Sequence, residues 1–294
     1  MIYIFSAATN NYKQYIDLFV KTLPLFFEGF DKKLILFSDQ DYINNLNDIY
    51  IYNYHIPHST YVLYGLNKLN YVIDYFNYIQ PEYNESSDII MFFDIDTYFI
   101  QKDKSYWDNL YNEFINKDLF FTINWWILYL DKDKKLKYKY DWPPSKEFNI
   151  NSCAYCNKNN DGLYNIPPLI VSFYGGKLLR LKELNEMLIN HILVDTYYSE
   201  THPRILCQYI DEGYINRIIN DNLIDCSNII YKIYCISSNS NYLNDYLHSP
   251  NSINEIIQSN DTIFCFQKYS NIKLFIKTRN YDNNEIKKII KFNN

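Results

Sequence analysis

The sequence predicts an α/β fold with a largely parallel sheet that helices cover on both faces. Short apolar runs rich in β-branched and aromatic residues alternate with longer segments of helical periodicity in the first half of the chain. The apolar runs are short and continuous, which is typical of strands buried on both faces. The 294 residues, 48% hydrophobic and 19% aromatic, are enough for a large core. Neither a repeat nor a clear linker is visible, so we expect one domain over residues 1–294.

The elements follow from these patterns in chain order. Residues 2–6 form a strand-like run, and residues 12–27 then place large apolar side chains at helical spacing, with Asn10 or Asn11 as the N-cap. Residues 34–38 and 49–54 predict the next two strands, and residues 64–79 return to helical spacing. The most apolar short run, residues 89–93, predicts a fourth strand that ends on Asp94-Ile95-Asp96.

The second half of the chain is less regular. Trp125, Trp126 and Trp142 flank a charged stretch, and prolines bracket a polar, Asn-rich region that predicts a loop. Helical spacing reappears at residues 178–192, near 212–220 and, for a short terminal helix, at 285–290.

Composition and missing motifs exclude several classes of protein. A net charge of −6 and a pI near 5.4 argue against a broad nucleic-acid-binding face. No stretch is apolar enough to span a membrane and no signal peptide is evident, so we expect a cytoplasmic, unprocessed chain. Cys153 and Cys156 form a lone CxxC that lacks the partners of a zinc site. The chain also lacks the P-loop, dinucleotide-binding, α/β-hydrolase and zinc-hydrolase motifs.

The Asp94-Ile95-Asp96 triplet is the sharpest local feature. Parallel sheets bind ligands at the carboxyl ends of their strands, where this triplet is expected. Two carboxylates one residue apart can share Mg²⁺ or Mn²⁺ together with substrate phosphates. The alternative is a solvated strand end without a metal.

Four other features of the sequence each have two interpretations. Asp211-Glu212 at a helix start is either part of a site or a solvated helix face, since adjacent helical residues project about 100° apart. Gly175-Gly176 allows close approach of a ligand or forms a tight turn. Lys68 is either a cation for a diphosphate or sugar or a surface lysine. Lys277 and Arg279 either neutralise a leaving diphosphate or form a solvated cluster.

Taken in order, these segments resemble glycosyltransferase family 6, the group that contains the ABO blood-group transferases and α-1,3-galactosyltransferase. The similarity extends over residues 2–245. It is carried by FSAATNNYKQYIDLFVKTLPLFF with KKLILFSD, by MFFDIDTYF, by NSCAY with SFYGG, and by YIDEGYINRII and NYLND. The resemblance implies a GT-A fold with a Rossmann-like sheet, and a metal-dependent retaining hexosyltransferase that uses a UDP-sugar donor and a glycan acceptor.

The resemblance also implies roles for individual residues. Glu212 corresponds to the catalytic carboxylate, and Asp94 and Asp96 correspond to ligands of Mn²⁺ or Mg²⁺ on the diphosphate. The positions implied to bind the donor are Ala7, Ala8, Thr9, Tyr12, Lys68, Asp94, Ile170, Ser172, Asp211, Lys277 and Arg279. The positions implied to bind the acceptor are Asn124, Trp125 and Asp245. Asn124 stands where the family usually has a histidine, and Lys68 stands where it has an arginine.

Two other functions remain open from the sequence. A different GT-A transferase, such as a glycogenin-like one, would share the DxD motif but not the Asp211-Glu212 pair. A non-catalytic protein that binds a UDP-sugar or carbohydrate would keep the fold without turnover.

Overall fold

A seven-stranded mixed sheet organises the computed structural model. The structure describes residues 1–40, 42, 50–56, 61–80, 82–99, 101–123, 128–130, 136–138, 143–196, 207, 210–232 and 264–266. Its strands are β1 (Ile2–Ala8), β2 (Lys32–Ser38), β3 (Tyr50–His55), β4 (Ile89–Phe93), β5 (Thr97–Phe99), β6 (Leu119–Ile123), β7 (Leu128–Leu130), β8 (Leu136–Tyr138), β9 (Leu169–Gly176), β10 (Ile229–Lys232) and β11 (Phe264–Phe266). Its α-helices are α1 (Ile16–Thr22), α2 (Tyr61–Asp74), α3 (Lys104–Ile115), α4 (Leu178–Thr196) and α5 (Ile210–Asn220).

The strand order of the large sheet is β10-β6-β9-β4-β1-β2-β3. Neighbouring strands pair in parallel except at β9, which is antiparallel to both β4 and β6. Two small antiparallel pairs, β5 with β11 and β7 with β8, lie outside this sheet. The predicted α/β fold with a largely parallel sheet is therefore confirmed.

Apolar side chains on both faces of the sheet explain why helices cover it. Along β1, Ile2 and Ile4 point to one core cluster, whereas Tyr3 and Phe5 point to the other. Helices α1 and α3 contribute to the first cluster. Helices α2, α4 and α5 contribute to the second. Successive strand residues face opposite sides, so a run that is apolar at every position needs cover on both. In the part of the chain that the structure describes, no helix is both long and apolar enough to cross a membrane.

The predicted helix over residues 12–27 is divided into three segments. A 3₁₀ helix (Asn10–Tyr15) precedes α1, and a second short 3₁₀ turn (Leu23–Leu25) follows it. Pro24 lies in that last turn and has no N–H for an α-helical hydrogen bond, which limits the α-helix to seven residues. The expected Asn10 or Asn11 N-cap is also wrong, because Thr9 occupies the N-cap position and makes no capping hydrogen bond through its side chain.

Other predicted boundaries differ by a few residues. Helix α2 begins three residues before the predicted start and continues into a π-helical turn (Tyr75–Ile79). Helix α4 extends four residues past its predicted end at residue 192, and α5 begins two residues before residue 212. The terminal helix predicted at residues 285–290 lies outside the described residues.

The glycine pair at residues 175 and 176 ends β9, and the space beside both glycines is occupied by protein atoms, which corrects the expectation of a tight turn or of close approach by a ligand. A Cβ on Gly175 would lie 2.1 Å from the Ile90 carbonyl oxygen and 2.4 Å from the Phe120 ring. A Cβ on Gly176 would lie 2.1 Å from the Asp118 carbonyl oxygen. These glycines therefore allow β9 to insert between β4 and β6 at a point where there is no room for a side chain.

We expect Gly175→Ala to lower the free energy of unfolding by at least about 3 kcal/mol, because its methyl group would overlap backbone atoms of a neighbouring strand. The control is Gly29→Ala, where φ is +84° but nothing lies within 4 Å of the added Cβ. That variant should lose only the backbone cost of about 1–2 kcal/mol. Urea unfolding followed by circular dichroism measures both, and equal losses would contradict the steric explanation.

Candidate functional site

The carboxyl ends of β1 and β4 form the point where the strand order reverses. From β1, the chain continues to β2 and β3 on one side, whereas β4 pairs with β1 on the other. A crevice outside the strand ends at such a point is the usual ligand site of open α/β sheets. Ala8 ends β1 and Thr9 follows it, and Asp94 directly follows β4.

Buried hydroxyl groups hold these strand ends together. Ser6 Oγ donates to the Phe93 carbonyl oxygen at 2.8 Å, and Ser38 Oγ donates to the Ala8 carbonyl oxygen at 2.9 Å. Both serines are buried, so each hydroxyl satisfies a backbone acceptor that water cannot reach. The backbone before Asp94 and Thr9 is thereby fixed.

A bulge in β9 brings two further backbone groups to this edge of the sheet. Phe121 of β6 pairs with Tyr174, but the next residue, Thr122, pairs with Ile170, so residues 171–173 have no partner on β6. The Val171 carbonyl accepts a hydrogen bond from Lys68 Nζ at 3.2 Å. The Ser172 carbonyl accepts one from the Asp94 N–H at 2.9 Å. Bulges near strand ends redirect groups in this way and are frequent beside binding sites.

Lys68 lies at the centre of this region and is 5% exposed. Its Nζ lies 2.7 Å from Asp211 Oδ2 and about 5 to 6 Å from the ring centres of Phe92 and Tyr174. Burial alone would lower the pKa of Lys68, but the charges of Asp211 and Asp94 outweigh burial and raise that pKa above its ordinary value. The side chain therefore stays protonated at neutral pH.

Asp211 and Glu212 occupy the first turn of α5, where the helix dipole favours negative charge. Burial raises the pKa of Asp211, and the Lys68 ammonium opposes that rise. Glu212 binds a different cation, with its Oε1 2.7 Å from Lys146 Nζ. The two adjacent carboxylates thus point in different directions, as helical geometry requires, and each has its own lysine.

The loop that carries Lys146 is closely packed against α5. Lys146 has a φ of +57°, a left-handed conformation that costs a side-chain-bearing residue about 1–2 kcal/mol. Its N–H donates to the Pro143 carbonyl at 2.9 Å, and Ser145 beside it is buried. A Cβ on Gly213 would lie 2.2 Å from Cys207 Sγ and 3.4 Å from the Ser145 carbonyl oxygen. A side chain at position 213 would therefore clash with Cys207, whereas the Ser145 carbonyl lies at an ordinary contact distance.

Side-chain hydrogen bonds fix the position of α5 against β9 and α4. Asn216 Oδ1 accepts a hydrogen bond from the Leu169 N–H at 2.7 Å, and Asn216 Nδ2 donates one to the Leu169 carbonyl at 2.9 Å. The Tyr214 hydroxyl donates to Asp195 at 2.9 Å, and Asp195 also accepts from Ser152 Oγ at 2.7 Å. All of these hydrogen bonds lie in the interior, so the first turn of α5 has a well-determined position.

Asp94 and Asp96 are the two carboxylates that the sequence analysis suggested as ligands of a divalent cation. Asp94 is partly exposed at the strand end, whereas Asp96 is fully buried. No group of three or more His, Cys, Asp or Glu residues in the described ranges is arranged to hold a metal. Two carboxylates are fewer ligands than Mg²⁺ takes, so an ion held here would need further oxygen ligands, such as those of a bound phosphate.

The other positions implied to bind the donor lie along the same edge or remain undescribed. Ala7, Ala8 and Thr9 are buried, and Tyr12 is partly buried in the 3₁₀ turn that follows. Ile170 and Ser172 belong to β9, and Ser172 Oγ is buried without a hydrogen-bond partner in the described part of the chain. Asn124, Trp125, Asp245, Lys277 and Arg279 lie outside the described residues.

Sequence reasoning missed three residues of the site. Lys146, Tyr174 and Asn216 all contact or surround residues that it had singled out. Asn216 follows Glu212 by four residues, and its side-chain amide donates to the Glu212 carbonyl at 2.8 Å, a spacing that could have indicated a shared helix face. Tyr174 lies within the SFYGG segment but was not singled out, and Lys146 belongs to no recognisable motif.

In comparisons with known proteins, no family model and no curated protein matches the chain.

We expect Lys68→Met to lower the free energy of unfolding by about 3–5 kcal/mol, because it leaves the Asp211 carboxylate buried without a counter-charge. The matched control is Lys104→Met, which breaks an ion pair of equal length to Asp108 whose side chains are 73% and 43% exposed. The control should change stability by less than about 0.5 kcal/mol.

The double variant Lys68→Met/Asp211→Leu should recover most of that loss, since apolar side chains often replace a buried ion pair without cost. Urea unfolding of all four proteins tests this. A loss no larger than that of Lys104→Met would show that Lys68 and Asp211 are not paired in the folded protein.

Proposed function

We propose that the chain is a metal-dependent retaining glycosyltransferase of the GT-A type. It would transfer a hexose or N-acetylhexosamine from a UDP-sugar to a sugar hydroxyl of a glycan acceptor. The observation that carries the proposal is that Asp94, Lys68 and the Asp211-Glu212 pair, which come from three separate segments, converge where the strand order reverses. The resemblance to glycosyltransferase family 6 assigns these same residues to one donor site.

The charge of this region favours a ligand that arrives with a cation. Among the residues that the structure describes, the charged side chains of this region are Asp94, Asp96, Asp211, Glu212, Lys68 and Lys146. Four carboxylates and two ammonium groups leave a formal charge of −2, which repels a free diphosphate. A divalent cation held by Asp94 and Asp96 would remove this repulsion and, when bound, would neutralise the charge on the departing diphosphate.

Protein side chains would supply the contacts to the donor sugar. Lys68 holds Asp211 in one orientation, so that the carboxylate is available to the hydroxyl groups of the donor sugar. Glu212 presents negative charge beside the transferred sugar, where a carboxylate stabilises or traps the oxocarbenium character of the reacting carbon. The buried backbone of Ala7, Ala8 and Thr9 supplies the wall against which the uridine would lie.

We expect UDP binding to require a divalent cation. Calorimetric titration should give an affinity at least about tenfold weaker in EDTA than in Mn²⁺, because the site alone repels the diphosphate. Asp94→Asn should remove most of the Mn²⁺ effect, and the control Asp161→Asn, at an exposed loop position, should leave it intact. Equal UDP affinity with and without the cation would contradict the proposed metal site.

We expect turnover of one UDP-hexose in a panel of donors, measured as Mn²⁺-dependent release of UDP by the purified protein. Glu212→Gln should lower kcat by roughly 1,000-fold or more, since it removes the charge that stabilises the transition state. Glu186→Gln, an exposed position on α4, is the matched control. Cation-dependent UDP binding without turnover of any donor would identify a nucleotide-sugar-binding protein instead.

A further inference from the structure

Glu212 is held through only one of its two carboxylate oxygens. Lys146 Nζ donates to Oε1 at 2.7 Å, and Oε2 makes no hydrogen bond among the described residues. Both side chains are largely buried, at 13% exposed for Lys146 and 15% for Glu212. Within the described part of the chain, the ion pair therefore leaves one oxygen of Glu212 without a hydrogen-bond donor.

The loop that carries Lys146 has an unusual backbone conformation at the residue that contacts Glu212. Lys146 adopts its left-handed φ immediately after two buried prolines and a buried serine. A lysine in this conformation is unfavourable, and such residues persist where the surrounding structure holds them, most often at functional sites. The Lys146 N–H donates to the Pro143 carbonyl at 2.9 Å, and the loop lies beside the first turn of α5, where Glu212 is.

We propose that Lys146 is the positioning residue for Glu212. It fixes the Glu212 side chain through Oε1, so that Oε2 faces the reacting carbon, and it balances a negative charge beside the equally charged Asp211. Lys146 acts through Glu212 and does not itself contact the reacting atoms. This inference rests on the proposed transferase function.

The kinetic test compares Lys146→Met, Lys146→Arg and Lys232→Met. Lys146→Met should lower kcat roughly 100-fold with the donor KM within about threefold, because a mispositioned group affects the transition state more than ground-state binding. Lys146→Arg retains the charge and should recover most of kcat. Lys232→Met is the control, since Lys232 on edge strand β10 makes a similar 2.6 Å pair with Glu113 away from the site. Its kcat should match the wild type.

A second readout does not depend on turnover. The urea midpoints of Lys146→Met, Glu212→Gln and the double variant form a double-mutant cycle. If Lys146 and Glu212 are paired, the midpoint shifts of the two single variants should not add up to that of the double variant. Additive shifts would overturn the proposal whether or not the protein turns over a donor. An unchanged kcat in Lys146→Met, or no recovery in Lys146→Arg, would overturn it in an active enzyme. If the wild type turns over no donor but the shifts are non-additive, the pair exists, but the proposed function and the positioning role both fail.

Discussion

The buried ion pair between Lys68 and Asp211 links the three elements that build the site. Lys68 is on α2, Asp211 is on α5, and the Val171 carbonyl that shares the Lys68 ammonium is in the β9 bulge. Two charges in an apolar interior are tolerated only when they neutralise each other with good geometry. The relative position of two helices and a strand is therefore fixed by a constraint that apolar packing alone does not supply, since apolar contacts are less directional than a charged hydrogen bond.

Local sequence patterns predicted the strands whose burial follows directly from an apolar run. Residues 34–37 and 89–93 are apolar at every position, and that is sufficient to predict strands buried on both faces. The sequence did not indicate β9 as a strand, because Gly175 and Gly176 usually mark turns. Only the neighbouring Ile90 and Asp118 carbonyls explain why glycine is required at the end of that strand.

The sequence also predicted some residues of the candidate site but not the contacts between them. Asp94, Asp96, Asp211 and Glu212 were recognised because carboxylates at a strand end and at a helix start follow general rules. Lys68 was recognised as a cation, but its pairing with Asp211 depends on how distant segments pack. Lys146 was missed, since its contact with Glu212 depends on a left-handed backbone conformation that no local motif predicts. Asn124, Trp125, Asp245, Lys277 and Arg279 stay predictions.

The place of β9 in the sheet has a consequence for synthesis of the chain. β9 separates β4 from β6 in space, although it follows both in sequence. While a ribosome makes the first 160 residues or so, β4 has no partner on one side, and its edge is the uninterrupted apolar run Ile-Ile-Met-Phe-Phe. Such an unpaired edge can add strands from other chains. Completion of the sheet must wait for residues 169–176, so the nascent protein is most prone to aggregation before that segment emerges.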